Sequence, residues 1–197
     1  MTTPDRRSVA VAGHTGDAAT ATAGLTSADP AVRATALGAL QRLDLLTEAQ
    51  LTVALGDPSP AVRRRAAEVS ANYVDIDLTI ALNDSDQTVV EMAAWACGEH
   101  ESNNDVVVDL LIALASTADD ALVREAAVAA LGAIGDHRAT DTIIQATEDK
   151  PAVRRRAVLA LAPFEGSKVE AAIDRALSDR DWQVRQAAED LRRAQNL

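Results

Sequence analysis

Histidine and cysteine, which supply most metal ligands and many nucleophiles, are scarce in this sequence. The chain of 197 residues contains only His14, His100, His137 and Cys97. His100 is followed by Glu101, but a closed metal site needs three or four ligands that converge. Neither lysine follows a glycine as a phosphate-binding loop requires, and no Gly-x-Ser-x-Gly turn is present. We therefore expect a protein that is not an enzyme, with no catalytic residue, no cofactor and no metal.

Arginine offers more chemistry, because a guanidinium group can grip a carboxylate or phosphate with two hydrogen bonds. The sequence has 17 arginines but only 2 lysines. Two triplets stand out, Arg63-Arg64-Arg65 and Arg154-Arg155-Arg156. What these side chains can reach depends on the elements that carry them.

Those elements repeat along the chain. A valine recurs at intervals of 27 to 34 residues, and an alanine follows it after four residues in every copy, so both lie on one helical face. The anchor valines are Val32, Val62, Val89, Val123, Val153 and Val184. Asp29, Asp86, Asp120 and Asp181 precede them where a helix N-cap is expected. Cys97, eight residues after its anchor, is expected to be buried.

A second, shorter helical pattern precedes each anchor helix. It is clearest over residues 47–55 and 167–177, where Thr47 with Gln50 and Ser167 with Glu170 have capping-box spacing. Alternating strand patterns are absent. The sequence therefore predicts an all-α fold of helix pairs. The predicted units span approximately 15–44, 45–72, 73–101, 102–135, 136–165 and 166–197.

The recurring Val-Arg-x-x-Ala-Ala-x-Ala-Leu-Gly resembles the short HEAT-like repeat of phycobilin lyases, and the resemblance covers nearly the whole chain. It implies a right-handed α-solenoid of about six short repeats. It also implies a structural ladder, in which the arginine after the anchor valine reaches an aspartate in the turn of an adjacent repeat. The ladder arginines are Arg33, Arg63, Arg124, Arg154 and Arg185, and the candidate partners are Asp57, Asp84, Asp119 or Asp120, Asp149 and Asp179. Val90 replaces the arginine in the third unit.

Repeats that stack on one another form one continuous domain. We expect a flexible N-terminal tail over 1–14, which carries no repeat signal, and a single repeat domain over 15–197. Arg6-Arg7 precedes an apolar run that is too short for an export signal. No segment approaches the length of a membrane span. These features predict a soluble, cytoplasmic protein, and we expect a monomer.

The charge balance limits the kinds of partner that the protein is expected to bind. Net charge is −11, with aspartate favoured over glutamate and arginine over lysine. This combination is typical of extreme halophiles and suggests a halophilic archaeon, whereas a G+C-rich genome would explain the arginine but not the acid excess. An acidic surface repels nucleic acids and anionic membranes. We expect neither as a partner.

The remaining class is a non-catalytic scaffold or adaptor that binds a protein on the concave face of the solenoid. Candidate contact residues lie two and six residues after an anchor valine: Arg64, Trp95, Arg155 and Leu159. Trp95 is an interface anchor or, equally, a core residue of the irregular third unit, and Trp182 is expected to pack on the neighbouring unit. Two alternatives stay open: a phycobilin-lyase-like or other small-molecule-modifying enzyme, and a taxis-signalling adaptor in a halophilic archaeon.

Overall fold

Helices make up the regular structure of this protein. A computed structural model describes residues 4–101 and 104–195, and within these ranges there are helices and turns but no strand. The predicted all-α fold is confirmed. The chain divides into two compact units, with the boundary between Ala93 and Ala94. The prediction of a single domain stays a prediction, and each unit is described by itself.

Helix pairs account for most of both units. The first unit contains α1 (Arg6–Thr15), α2 (Ala18–Gly24), α3 (Pro30–Arg42), α4 (Glu48–Leu55), α5 (Pro60–Ser70), α6 (Thr79–Leu82) and the start of α7 (Gln87–His100). The second contains the end of α7, α8 (Asp105–Thr117), α9 (Ala121–Ile134), a 3-10 turn (His137–Ala139), α10 (Thr140–Ala146), α11 (Pro151–Ala160), α12 (Ser167–Ala176) and α13 (Trp182–Gln195). Each predicted unit holds one pair, from α2 with α3 to α12 with α13.

The core is built from the anchor positions. All six anchor valines and the six alanines that follow them are at most 3% exposed. Burying a valine side chain contributes about 1.5–3 kcal/mol, and the small alanine lets neighbouring helices approach. As a result, the second helices of successive pairs pack side by side: α3 against α5 in the first unit, and α9, α11 and α13 in the second. Cys97 is buried, as expected.

The N-terminal prediction is wrong over residues 6–14. They form most of α1, which is capped by Asp5 and packs against α2 and α3 with Val9 and Ala12 buried. Residues 1–3 of the predicted tail lie outside the described part of the chain.

Close contacts at glycines show that α1 packs like the second helix of a pair. A methyl group on Gly13 would lie 2.8 Å from the Ala39 Cα atom, and one on Gly132 would lie 2.7 Å from the Ala160 Cα atom. Gly98 meets Ala130 in the same way, at 2.9 Å. Both Gly98 and Gly132 lie nine residues after an anchor valine, so α1 has the register of a second helix whose anchor position is Pro4.

Of the two predicted capping boxes at helix N-termini, one is present and one is not. The capping box of Thr47 and Gln50 is present at α4. The predicted box at α12 is wrong, because Gly166 is the N-cap and Ser167 is the first helical residue, without a side-chain cap. The Glu170 carboxylate instead accepts a hydrogen bond from Arg192.

A short polar segment of the sequence separates α7 from α8. Residues 98–100 still belong to α7, and α8 starts at Asp105. Glu101 adopts a left-handed backbone conformation with φ of 48°, and residues 102 and 103 lie outside the described residues.

Candidate functional site

The arginines that follow the anchor valines lie between successive helix pairs. Each of four donates from Nε and Nη2 to both oxygens of one aspartate, at 2.6 to 2.9 Å, and from Nη1 to a backbone carbonyl of its own turn. The four pairs are Arg33–Asp57, Arg63–Asp84, Arg124–Asp149 and Arg154–Asp179. These hydrogen bonds lower the pKa of each aspartate and raise the pKa of each arginine. The paired arginines are therefore engaged in the fold and leave little donor capacity for a ligand.

The fifth ladder arginine has a different environment. Arg185 Nη1 donates to the carbonyl oxygens of Asp179 and Arg180 at 2.7 and 3.3 Å. Among the described residues its side chain contacts no carboxylate, and it belongs to the last helix pair of the sequence. The carbonyl contacts thus recur without the ion pair.

Two positions of the ladder motif lack their usual residue, one in the third repeat and one in the fourth. Val90 stands where the other units have arginine, and Ala118 stands five residues before its anchor valine, where Asp57 and Asp179 stand in theirs. Arg124 donates to the Ala118 carbonyl at 2.7 Å, as Arg63 does to that of Asp57 at 2.9 Å. The third repeat therefore lacks the arginine of the ladder motif, and the fourth repeat lacks the aspartate.

In the first unit, the outward faces of three second helices line one groove. α1 packs against α3, and α3 packs against α5. A cavity of about 440 Å³ spans all three helices. Its floor on α3 is made of small residues, including Ala31, Ala34 and Gly38. We call this cavity the arginine groove.

Basic side chains surround this floor. Arg6 and His14 come from α1, Arg42 from the end of α3, and Arg64 and Arg65 from α5. None of the described lining residues carries a carboxylate. A guanidinium-lined groove of this kind can bind carboxylates or phosphates through bidentate hydrogen bonds.

Most of these arginines have no protein counter-ion. Arg65 pairs with Glu68 at 2.8 Å, but Arg6, Arg42 and Arg64 form no ion pair with any described residue. Two glycines make room for the arginines: a methyl on Gly13 would lie 2.9 Å from Arg42 Nη1, and one on Gly38 would overlap the Arg65 guanidinium. The groove thus presents free positive charge on a chain with a net charge of −11.

The second unit carries the other predicted contact residues. Trp95 on α7 and Leu159 on α11 are each 41% exposed. Arg155 is half-buried, and its Nε atom is shielded from solvent without an acceptor among the described residues. Arg156 lies beside Glu125 of α9, with Nη2 3.6 Å from the carboxylate. Trp95 is therefore not a fully buried core residue, and Arg64 lies in the other unit.

Two further side chains of the second unit are Trp182 and Arg138. Trp182 is 64% exposed, so the expected packing of its ring is wrong; at the first position of α13 the side chain extends into solvent. Arg138 contacts Asp105, Asp109 and Asp136 at 2.8 to 3.2 Å, and its hydrogen bond lowers the pKa of Asp136 to about 2.

The described ranges contain neither a candidate metal-ligand cluster nor a membrane-spanning helix. No group of three or more histidine, cysteine, aspartate or glutamate side chains there could hold a metal ion. No helix in the same ranges is both long enough and apolar enough to cross a membrane.

An apolar cavity of about 360 Å³ also lies in the first unit. It is lined by Leu25, Leu37 and Val53 together with the Arg33–Asp57 pair. Because this pair is already satisfied, the cavity offers apolar contact and no free charge.

Part of the chain matches a known family of helical repeats. Residues 76–162 match the HEAT-repeat family model. This segment is less than half of the chain, and it includes the α8–α9 and α10–α11 pairs. No curated protein sequence matches the chain.

Solved structures extend the similarity in fold. A designed armadillo repeat protein in complex with the peptide (KR)4 matches with a TM-score of 0.65 at 20% identity, over 88% of this chain and 97% of that one. The YibA protein of Escherichia coli matches with a TM-score of 0.68 at 16% identity, over 95% of this chain and 74% of that one. At these identities the similarity shows the fold alone, which is the HEAT- and armadillo-like helical repeat of the α-solenoid class.

The HEAT-like register also explains which groove residues sequence reasoning missed. Arg64 was predicted from its place two residues after an anchor valine. Arg6 has the same place relative to Pro4, but α1 was not recognised as a second helix. The available signal was Gly13, nine residues after Pro4, because glycine recurs at that place as Gly98 and Gly132.

Proposed function

We propose that this protein is a non-catalytic interaction module that binds a protein partner through the outward faces of its second helices. The observation that carries the proposal is the arginine groove. Its three helices bury their apolar faces against the rest of the first unit, and their opposite faces form a continuous channel with unpaired cations. Helical repeats commonly use such arrays for binding, because successive helices display side chains without loops that must fold.

Two further observations support an interface. Trp95 and Leu159 are large apolar side chains left partly exposed on second helices of the other unit, and Arg155 lies one helical turn before Leu159. Tryptophan and arginine are enriched at the centres of protein interfaces. A designed armadillo protein of the same fold class binds a peptide, so an extended segment of a partner is a reasonable ligand for this type of surface.

The proposal is for a cytoplasmic monomer that binds neither nucleic acid nor membrane, because the net charge of −11 opposes both. No cavity or contact among the described residues favours the lyase-like or taxis-adaptor hypotheses over this general function. Size-exclusion chromatography with light scattering tests the monomer.

Selection from a library of displayed random peptides tests the function. The bait is the full chain, held at a KCl concentration where circular dichroism shows it to be folded. We expect peptides to be enriched, and their binding to weaken when Arg64 or Trp95 is substituted. If no peptide is enriched, or if enriched peptides bind both variants like wild type, the second-helix faces are not a peptide-binding surface.

A further inference from the structure

We propose that the arginine groove binds an extended peptide segment rich in aspartate and glutamate. This inference rests on the proposed function and names the chemistry of the partner at one of its surfaces. It follows from the charge, the dimensions and the floor of the groove, which are considered in turn.

The charge of the groove is opposite to that of the protein as a whole. The sequence has 30 acidic and 19 basic residues, so carboxylates are available for every arginine. Four of the five ladder arginines each bind an aspartate, and Arg138 contacts three. Other exposed arginines, such as Arg7, Arg175 and Arg180, also form no ion pair with a described residue, but they do not line the groove. Arg6, Arg42 and Arg64 differ because they converge on one cavity, without an ion pair to any described residue and without a lining carboxylate. A bound acidic segment would supply the missing counter-charge.

The dimensions fit a short extended peptide. Packed helices lie about 8–10 Å apart, so a groove that crosses α1, α3 and α5 is roughly 20 Å long. An extended chain advances about 3.3 Å per residue, which corresponds to about six residues. The cavity volume of about 440 Å³ falls within the ordinary range of about 300–1,000 Å³ for ligand pockets.

The floor allows the ligand backbone to come close. Ala31, Ala34 and Gly38 present at most a methyl group to the cavity, and Arg42 and Arg65 lie across glycines that leave room for them. The guanidinium groups therefore flank the channel rather than fill it. Successive side chains of an extended peptide point to opposite sides, so consecutive acidic residues can meet arginines on both flanks.

The same observations favour a peptide over a nucleic acid. A nucleic acid carries a phosphate at every nucleotide, and its chain would continue past the groove onto a protein of net charge −11. A peptide can confine its charge to the segment of about six residues that the groove accommodates.

Fluorescence anisotropy tests the inference with two labelled peptides, one with six consecutive glutamates and one with six glutamines. We expect the glutamate peptide to bind wild type at least about tenfold more tightly. We expect the variant Arg6→Gln/Arg42→Gln/Arg64→Gln to lose at least about tenfold in affinity, since one lost charge-assisted contact of about 1.4 kcal/mol is already tenfold. Arg64→Gln alone should show a smaller loss in the same direction. None of these arginines forms an ion pair with a described residue, so circular dichroism should show that the variants remain folded.

The matched control is Arg7→Gln/Arg175→Gln/Arg180→Gln. It removes the same charge from exposed arginines that do not line the groove and form no ion pair with a described residue. We expect less than about a twofold change in affinity for the glutamate peptide. Equal losses in the two triple variants would reduce the effect to net charge and overturn the groove. The inference also falls if the glutamine peptide binds as well as the glutamate peptide, or if single-stranded DNA of matched charge binds more tightly than either.

The library selection separates this inference from the proposed function. Enriched peptides without acidic residues, whose binding survives the groove substitutions but weakens in Trp95→Ala, would leave the interaction module standing and remove its acidic partner. Enrichment of acidic peptides that depend on Arg64 supports both.

Discussion

The carboxylate pair of the ladder can be isolated by comparing Arg154→Met with Arg185→Met. The two arginines have the same place in their repeats and donate to the same kind of turn carbonyl. Only Arg154 also holds an aspartate, with Nε and Nη2 at 2.9 and 2.8 Å from the Asp179 oxygens. Methionine keeps much of the apolar stem and removes the donors.

The expected magnitudes differ because of the charge left behind. The side chains of Arg154 and Asp179 are only 6% and 14% exposed. Breaking such a buried pair costs about 3–5 kcal/mol, and because the Asp181 N–H still donates to Asp179 we expect the lower end, about 3 kcal/mol. Losing the neutral carbonyl contacts of Arg185 should cost about 1 kcal/mol. The difference of roughly 2 kcal/mol in the free energy of unfolding measures the cost of leaving the Asp179 carboxylate without its partner.

Urea unfolding followed at 222 nm provides the measurement, with all variants in the same KCl concentration. A third variant, Arg154→Met/Asp179→Leu, removes both charges and should lose less than Arg154→Met alone. If the two single variants lose the same free energy of unfolding within about 0.5 kcal/mol, the aspartate contributes nothing beyond the carbonyl contacts and the ladder argument fails.

Four other predictions follow from the sequence and structure. Folding should depend on salt, so helicity and melting temperature should rise from about 0.1 M to about 3 M KCl; identical curves would contradict the halophile hypothesis. The ladder arginines hold the pKa of their aspartates low, so the stability they provide is complete above the unfolded pKa of about 3.9 and is lost as the pH falls through the folded pKa. The urea midpoint should therefore drop as the pH falls below about 4, and a constant midpoint there would refute this. Gly132→Ala places a methyl 2.7 Å from a neighbouring backbone atom and should destabilise by about 1 kcal/mol or more, whereas Gly38→Ala displaces only a movable arginine end and should be neutral or stabilising in the same urea assay. Trp95→Ala should weaken the binding of selected peptides and cost about 2 kcal/mol in urea unfolding; a loss of 3–5 kcal/mol would mark it as core.

Burial could be predicted from the sequence because helical periodicity reports it directly. Each anchor valine and its alanine recur at the spacing that places them on one face, and both are buried in every unit. The pairing of Arg33 with Asp57 was less determined. Partners in the ladder are separated by 21 to 25 residues, a variation that no fixed repeat length predicts.

The first helix could not be predicted in the same way. Pro4 stands at its anchor position, so the valine that marks the other second helices is missing. The sequence before α1 also shows no shorter helical pattern. Its burial comes from packing against α2 and α3, with Val9 and Ala12 buried and with the close approach to α3 at Gly13. Because one wall of the arginine groove is α1, a sequence reading that omits this helix finds Arg64 but not the cavity.

The two arginine triplets show why a motif alone did not define the site. Arg65 and Arg156 occupy equivalent places, each three residues after an anchor valine. Arg65 lies across Gly38 of α3, and the facing surface there is made of small residues, so Arg64 beside it remains exposed in an open groove. Arg156 instead faces Glu125 of α9 at 3.6 Å.

The deciding residues are therefore on the preceding second helix. Where that helix offers Ala34 and Gly38, it leaves space and no counter-charge, and the arginines are available to a ligand. Where that helix carries Glu125 and Ala129, the glutamate lies beside one arginine of the triplet and partly neutralises its positive charge within the protein. Replacing Ala34 by glutamate would reproduce the second situation in the first unit, because Ala34 has the place of Glu125, two residues after its anchor valine. On this reasoning Ala34→Glu should abolish binding of an acidic peptide while Arg64 is still present.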